Sequence, residues 1–376
     1  MALLPSRTGW VIIGAGFAGA STAWALARAG LGPGVILEQE SVYGYHASGR
    51  NAALLYLVES DPLILALAAR SLGHIRQLDH GPEPLVRHTG GLTLGGRAEA
   101  AEFDARRQLC ARLGLDVDVL SAGDARARFP VAAGVGFDVA LWCGAEGVVD
   151  IHALLTRYLH EAREAGFRLQ TNCRVENIVT EGGRVTGVQT PLGRIDADMV
   201  IDASGAWAGR LGRLARPLPL QPLRRHLFVT SPPERASLDA PFVWDEETSF
   251  YFRPEGDGLL FSPCDETPMP PCDPPTDVAA AELLAEKLAR KAPAFADLPV
   301  RRSWACLRTF ARDRRPVIGP DPDVPGLFHV SALGGFGMGT SAAVGELAAT
   351  LLSGRTPDWI DAGPISPGRA VVSTQG

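Results

Sequence analysis

Trp10-Val11-Ile12-Ile13-Gly14-Ala15-Gly16-Phe17-Ala18-Gly19 opens the stretch that decides the fold. It runs on through Ala20-Ser21-Thr22-Ala23-Trp24-Ala25-Leu26-Ala27-Arg28-Ala29-Gly30 and closes on Val35-Ile36-Leu37-Glu38. An apolar run, a glycine turn, apolar residues at helical spacing stopped by Gly30, and a second apolar run predict strand, turn, helix, strand. Each glycine has a mechanical reason. Gly14 permits the tight turn, Gly16 lets backbone approach a pyrophosphate, and Gly19 lets the helix pack on the strand. The free N–H groups at the helix start carry partial positive charge and suit phosphate. Glu38, 24 residues after Gly14, is placed to accept both ribose hydroxyl protons and repels a 2′-phosphate. The unit predicts a dinucleotide site for FAD or NAD, not NADP.

Working outward, residues 172–190 predict two short strands joined by Glu181-Gly182-Gly183. A third strand, Ile195–Asp202, leads into Ala203-Ser204-Gly205-Ala206-Trp207. Near the end, Leu333-Gly334-Gly335-Phe336-Gly337-Met338-Gly339-Thr340 precedes an alanine-rich helix from about Ser341 to Leu352. A simple NAD enzyme has no need of this second glycine-rich helix start. A flavin does, because its N1–C2=O edge becomes anionic on reduction and a helix N-terminus stabilises that charge. FAD is therefore the expected ligand.

Composition sets limits. The chain has 376 residues, 46% hydrophobic and 21% charged, enough for two or three domain-sized units with a large core. With 36 basic against 42 acidic residues the net charge is −6, which argues against a nucleic-acid partner. No apolar run is long enough for a membrane span, and Met1–Thr8 is too short for a secretory signal. The six scattered cysteines include no CxxC pair, so neither a zinc site nor a disulfide framework is expected. A reducing cytoplasm fits, with peripheral contact at the inner membrane left open.

Taken together, the motifs resemble the D-amino-acid oxidase (DAO) superfamily of FAD enzymes over nearly the whole chain, and within it the bacterial D-arginine dehydrogenases. The residues that carry the likeness are Gly14–Thr22, Gly44-Tyr45-His46-Ala47-Ser48-Gly49-Arg50-Asn51-Ala52-Ala53, Ala203–Trp207, Ser249-Phe250-Tyr251, Trp304–Phe310 and Gly334–Glu346. The resemblance implies a Rossmann-like α/β FAD domain (1–80, 140–215 and 310–376) interrupted by an antiparallel-sheet substrate domain (81–139 and 216–309). Within the latter, strands are expected near Arg224–Thr230, Phe250–Arg253 and Leu259–Ser262, and a helix near Asp277–Ala292. Pro263–Pro275, with six prolines, reads as an exposed loop.

The same resemblance assigns the sites. FAD contacts would come from Gly14, Gly16, Gly19, Glu38, Gln39, Ser48, Arg50, Asn51, Ala52, Val175, Gly205, Trp207, Gly335, Gly337, Met338, Gly339 and Thr340. Arg308 would bind the substrate carboxylate as a guanidinium fork, and Tyr251 would gate the pocket and hydrogen-bond the substrate. Arg225 is favoured over Arg224 as a second carboxylate contact. His46 would lie near the flavin's reactive side and supply pocket polarity or orient the amine. No metal is expected.

Two departures stand out. The acid that pairs with the substrate guanidinium in D-arginine dehydrogenases has no ungapped counterpart; Glu83 is in the neighbourhood, and the charge of the substrate side chain stays open. Cys306 stands where that branch has glycine and monomeric sarcosine oxidase has a flavin-linked cysteine. The main expectation is non-covalent FAD, with a Cys306 bond as the alternative. The implied reaction is oxidation of the Cα–N bond of a small amino acid, a D-amino acid first, giving a 2-oxo acid and ammonia. Oxygen or a quinone would re-oxidise the flavin. A secondary amine, a 2-hydroxy acid or a non-catalytic flavoprotein subunit are the alternatives.

Overall fold

A computed structural model describes residues 4–211, 218–231, 237, 239–369 and 372. The opening motif forms as expected: strand Arg7–Ile13, helix Phe17–Arg28, strand Gly34–Leu37. The two strands pair in parallel, and Arg7–Ile13 also pairs in parallel with Gly193–Asp202. The long strand Gly193–Asp202 serves two neighbours. Its first half pairs antiparallel with Arg184–Thr190, its end in parallel with Leu327–Ser331. The chain thus returns to this eight-stranded sheet from distant positions.

Alternation along the strands divides the interior. Ile12, Ile36 and Ile201 face the helices Phe17–Arg28, Ile151–Glu164 and Ser341–Leu352, whereas Val11, Ile13, Val35, Leu37 and Val200 face the hairpin side with Val185 and Val188. Both faces are buried, which is why these strands read as continuous apolar runs. Asp150 caps its helix by accepting the Ala153 N–H at 2.8 Å.

The second sheet has nine strands, and the three sequence-expected ones extend to Gln221–Thr230, Phe250–Glu255 and Gly258–Ser262. One face packs Phe228, Phe250, Phe252 and Phe261 against Leu284 and Leu288 of the helix Val278–Lys291. The other gathers Leu227, Tyr251 and Leu260. A period of two therefore turns Tyr251 away from its phenylalanine neighbours.

Two expectations need correction. The strand Val139–Cys143 belongs to the second sheet, so a boundary at 140 cuts through it; the 215/216 junction lies outside the described residues. Pro263–Pro275 is also more than an exposed loop. Thr267–Pro268 pairs with Leu223 and Arg224, and Asp265 is buried, accepting from the His226 backbone N–H and standing 2.7 Å from its Nδ1. Among the described residues no helix is long and apolar enough to cross a membrane.

Candidate active site

One cavity of about 710 Å³ runs between the two sheets. Every site residue expected from the sequence lines it except Gly19. Gly19 is a packing residue: a Cβ there would stand 2.0 Å from the Gly14 carbonyl oxygen.

The nucleotide end is made of backbone. Gly14 has φ +101°, and a Cβ on it would meet the Ala203 oxygen at 2.6 Å. The helix Phe17–Arg28 starts at Gly16 with no side-chain cap of its own; Ser48 Oγ reaches over and accepts the Phe17 N–H at 3.0 Å. Glu38 accepts from Ala15 N–H on one oxygen and Glu40 N–H on the other, both at 2.9 Å. Each oxygen keeps a lone pair for a ribose hydroxyl. Asp202 accepts the Ser204 and Gly209 N–H groups and so shapes the Gly205–Trp207 turn. At the other glycine cluster the helix Ser341–Leu352 begins at Thr340, again without a side-chain cap, beside cavity-lining Gly337 and Gly339. Two helix starts whose own N-cap residues offer no side-chain cap, a glycine cradle that a Cβ would fill and a buried acid fit FAD as ligand.

His46 and Arg50 line the cavity, and each has a carboxylate partner. The His46 ring stands 2.9 Å from Glu40 Oε1, 3.4 Å from Gln39 Nε2 and 4.7 Å, ring to ring, from Trp207. These contacts turn it to the nucleotide end; none is with Tyr251 or Arg308. The Arg50 guanidinium pairs with Asp273 of the proline-rich loop and lies over the Tyr45 ring, and Tyr45 also donates to Asp273. Arg50 ties that loop across the cavity. Asn51 shapes the turn, donating to the Ser48 carbonyl and accepting from Ala53 N–H, both at 2.7 Å.

The substrate end is made of side chains from separate elements. Arg308, half-buried in the strand Val300–Phe310, donates to the Tyr251 hydroxyl at 3.2 Å. Among the described residues no carboxylate lies within ion-pair distance of it. Arg225 sits opposite Cys306, two residues along the strand from Arg308, and faces the cavity; Arg224 points the other way to Asp277. Of the two it is Arg225 that faces the cavity, and it is already engaged. It donates to the Asp265 carbonyl and to Glu266 Oε1 at 2.8 and 2.9 Å. Glu266 also binds Arg314. Burial pushes the Glu266 carboxyl up, but these arginines outweigh it and hold its pKa below the ordinary value. Cys306 is buried and its thiol is pushed up by desolvation, which keeps it unreactive.

The sequence reading missed the far wall. Tyr56 and Trp244 stack with ring centroids 5.2 Å apart, and Trp244 and Tyr251 with centroids 5.0 Å apart. Tyr56 donates weakly to Glu246 at 3.4 Å. Arg106 donates to Glu246 at 2.6 Å, to Glu102, and to the Val58 carbonyl at 3.1 Å. Buried Glu146 accepts the Leu57 and Val58 N–H groups at 2.6 and 3.1 Å. Glu59 and Glu246 complete this wall, whereas Glu83 is exposed and is not on the cavity. These residues form no local motif, so spacing could not have found them.

Known proteins agree with this architecture. The DAO profile, described as FAD dependent oxidoreductase, matches residues 10–351. Glycine oxidase from Pseudomonas putida is 31% identical, with 95% of this chain and 97% of that one covered. Sarcosine dehydrogenase from Mus musculus is 25% identical over 94% of this chain, which spans only 40% of that protein's length. L-Proline dehydrogenase from P. horikoshii superposes with a TM-score of 0.84 at 21% identity, covering 94% of this chain and 95% of that one. None of these carries the name of D-arginine dehydrogenase, so the narrower resemblance does not follow from them. The chain belongs to the DAO family of FAD-dependent oxidoreductases.

Proposed function

We propose that this enzyme oxidises the Cα–N bond of a free amino acid, a D-amino acid first, to an imino acid that water hydrolyses to a 2-oxo acid and ammonia. The observation that carries this reading is Arg308: a half-buried guanidinium on the cavity wall, held by Tyr251 and lacking a carboxylate of its own. A charge in that position calls for an anionic ligand, and the planar fork fits a carboxylate in two parallel hydrogen bonds. Bound FAD supplies the hydride acceptor. Arg308 fixes the carboxylate and with it Cα. Tyr251 offers its hydroxyl beside the clamp, and its stacked partners Trp244 and Tyr56 keep water from one side. Arg225 acts through Glu266, holding that carboxylate against the cavity wall. His46 shapes the nucleotide end. FAD is held without a bond to Cys306, whose thiol stays protonated.

A second reading, a secondary amine or glycine itself, draws on the names of the relatives, glycine oxidase and sarcosine dehydrogenase. All six cysteines are free thiols, which accords with a reducing cytoplasm. Anaerobic titration of the flavin band separates the substrate readings. Bleaching by D-amino acids, with ammonia formed, supports the first. Bleaching by sarcosine alone, with methylamine formed, supports the second. Bleaching by 2-hydroxy acids alone refutes both, and a flavin that nothing bleaches points to a non-catalytic subunit. Re-oxidation by air against a quinone then identifies the electron acceptor.

A further inference from the structure

We propose that Glu59 is the specificity-determining residue of the cavity: its carboxyl receives a cationic group, ammonium or guanidinium, at the far end of the substrate's side chain while Arg308 holds the α-carboxylate. This rests on the amino-acid reading above and adds the side-chain class to it.

The argument starts from charge pairing. Most charged groups on the substrate side already have partners: Arg106 has Glu102 and Glu246, and Glu266 has Arg225 and Arg314. Arg308 and Glu59 do not. Glu59 lines the cavity, is half-buried, and among the described residues accepts no hydrogen bond and joins no ion pair. Among the described residues, the substrate side of the cavity therefore offers one free cation and one free acid.

What lies between them is a row of aromatic faces. Tyr251 touches Arg308, and Tyr56, three residues before Glu59, touches Glu246. Two ring steps, of 5.0 and 5.2 Å, join Tyr251 to Tyr56 through Trp244. The α-ammonium of a substrate lies within about 3 Å of its own carboxylate, too near Arg308 to serve this wall. A side chain of several methylenes laid along the rings reaches it, and aromatic faces accept both methylenes and a terminal cation.

The local charge agrees. Glu59, Glu102 and Glu246 outnumber Arg106, the one cation among them. Burial pushes the Glu59 carboxyl up to about 8; Arg106 opposes this, while Glu246, Glu146 and Asp61 add to it. Glu59 is thus largely protonated at neutral pH, and an arriving cation must expel that proton. Recognition of the cation strengthens as pH rises from 6 to 9.

The test uses FAD-loaded full-length protein and two carboxylates that have no α-amine: 6-aminohexanoate and hexanoate. Their dissociation constants are read from the perturbed flavin spectrum. At pH 9 we expect 6-aminohexanoate to bind at least about tenfold tighter than hexanoate, the ratio shrinking towards pH 6. Glu59→Gln should bring the ratio to about one at every pH, and Glu59→Asp should retain part of it. Flavin content and melting temperature of both variants establish that they are folded. Equal binding of the two carboxylates, binding of neither, or a preference that survives Glu59→Gln overturns the proposal. Turnover keeps the two readings apart. If D-norleucine bleaches the flavin and D-lysine has no advantage in kcat/KM, only the role of Glu59 is lost. If no amino acid bleaches it, the amino-acid reading itself fails.

Discussion

The two ends of the cavity are built by opposite means. At the nucleotide end the contacts come from main chain within short stretches, Gly14–Phe17 and Gly335–Thr340, with Glu38 supporting one of them. At the substrate end they come from side chains at positions 56, 59, 106, 225, 244, 251 and 308, brought together from one sheet, a helix and the irregular segment around Tyr56–Glu59. Main-chain sites tolerate little variation, because the backbone conformation itself is the ligand-binding surface. Side-chain sites can be rewritten one residue at a time, so one scaffold serves several substrates.

This contrast can be broken by substitution. The largest effect is expected from Gly19→Val, which drives a side chain into the Gly14 carbonyl. Purified protein should hold less than about a tenth of the normal flavin per chain; normal content would show that the turn is not the rigid element described. Next is Arg308→Met. Losing two charge-assisted hydrogen bonds should lower kcat/KM by about a thousandfold with flavin content intact. A fall in flavin content instead would move Arg308 to the nucleotide end.

Arg225→Met sharpens the comparison within the substrate end. Acting through Glu266, Arg225 should account for a loss of about tenfold; a loss matching that of Arg308→Met would mean direct contact with the carboxylate. Smallest is His46→Ala, for which we expect kcat within about threefold of the parent and a modestly weaker hold on FAD. A hundredfold fall in kcat would return His46 to the reacting centre.

A fifth expectation concerns pH. Glu346 on the last helix binds Arg70 and His74 of the helix Pro62–Leu78. Burial pushes its carboxyl up, but these partners prevail and hold its pKa at about 2, below the ordinary 4.5. A lowered pKa stabilises the fold above about 4.5, and that contribution is lost as pH falls towards 2. Chemical denaturation from pH 6 to 3 should show Glu346→Gln losing less stability than the parent. Parallel curves would remove the ion pair from the account of acid sensitivity.

The sequence was readable where function follows local backbone. Gly14, Gly16 and Glu38 lie close together in the chain, and their roles depend on little else. Tyr251 and Arg308 came from resemblance, and the structure brings them together. The partners of His46 and Arg50 could not be read from the sequence, because Glu40 is one acid among several nearby and Asp273 lies 223 residues from Arg50. Glu59 and Trp244 were invisible, since nothing in their neighbours marks which way an isolated acid or tryptophan will face.

The crossing of the first and last helices has a consequence for biosynthesis. Gly345 fits so tightly against the Ser21 carbonyl that a Cβ would stand 2.2 Å away. Gly345 is translated 324 residues after Ser21, so a nascent chain carries its glycine turn long before this partner arrives. The cofactor pocket therefore closes only once the helix bearing Gly345 has been made, and flavin capture reports that these distant segments have come together.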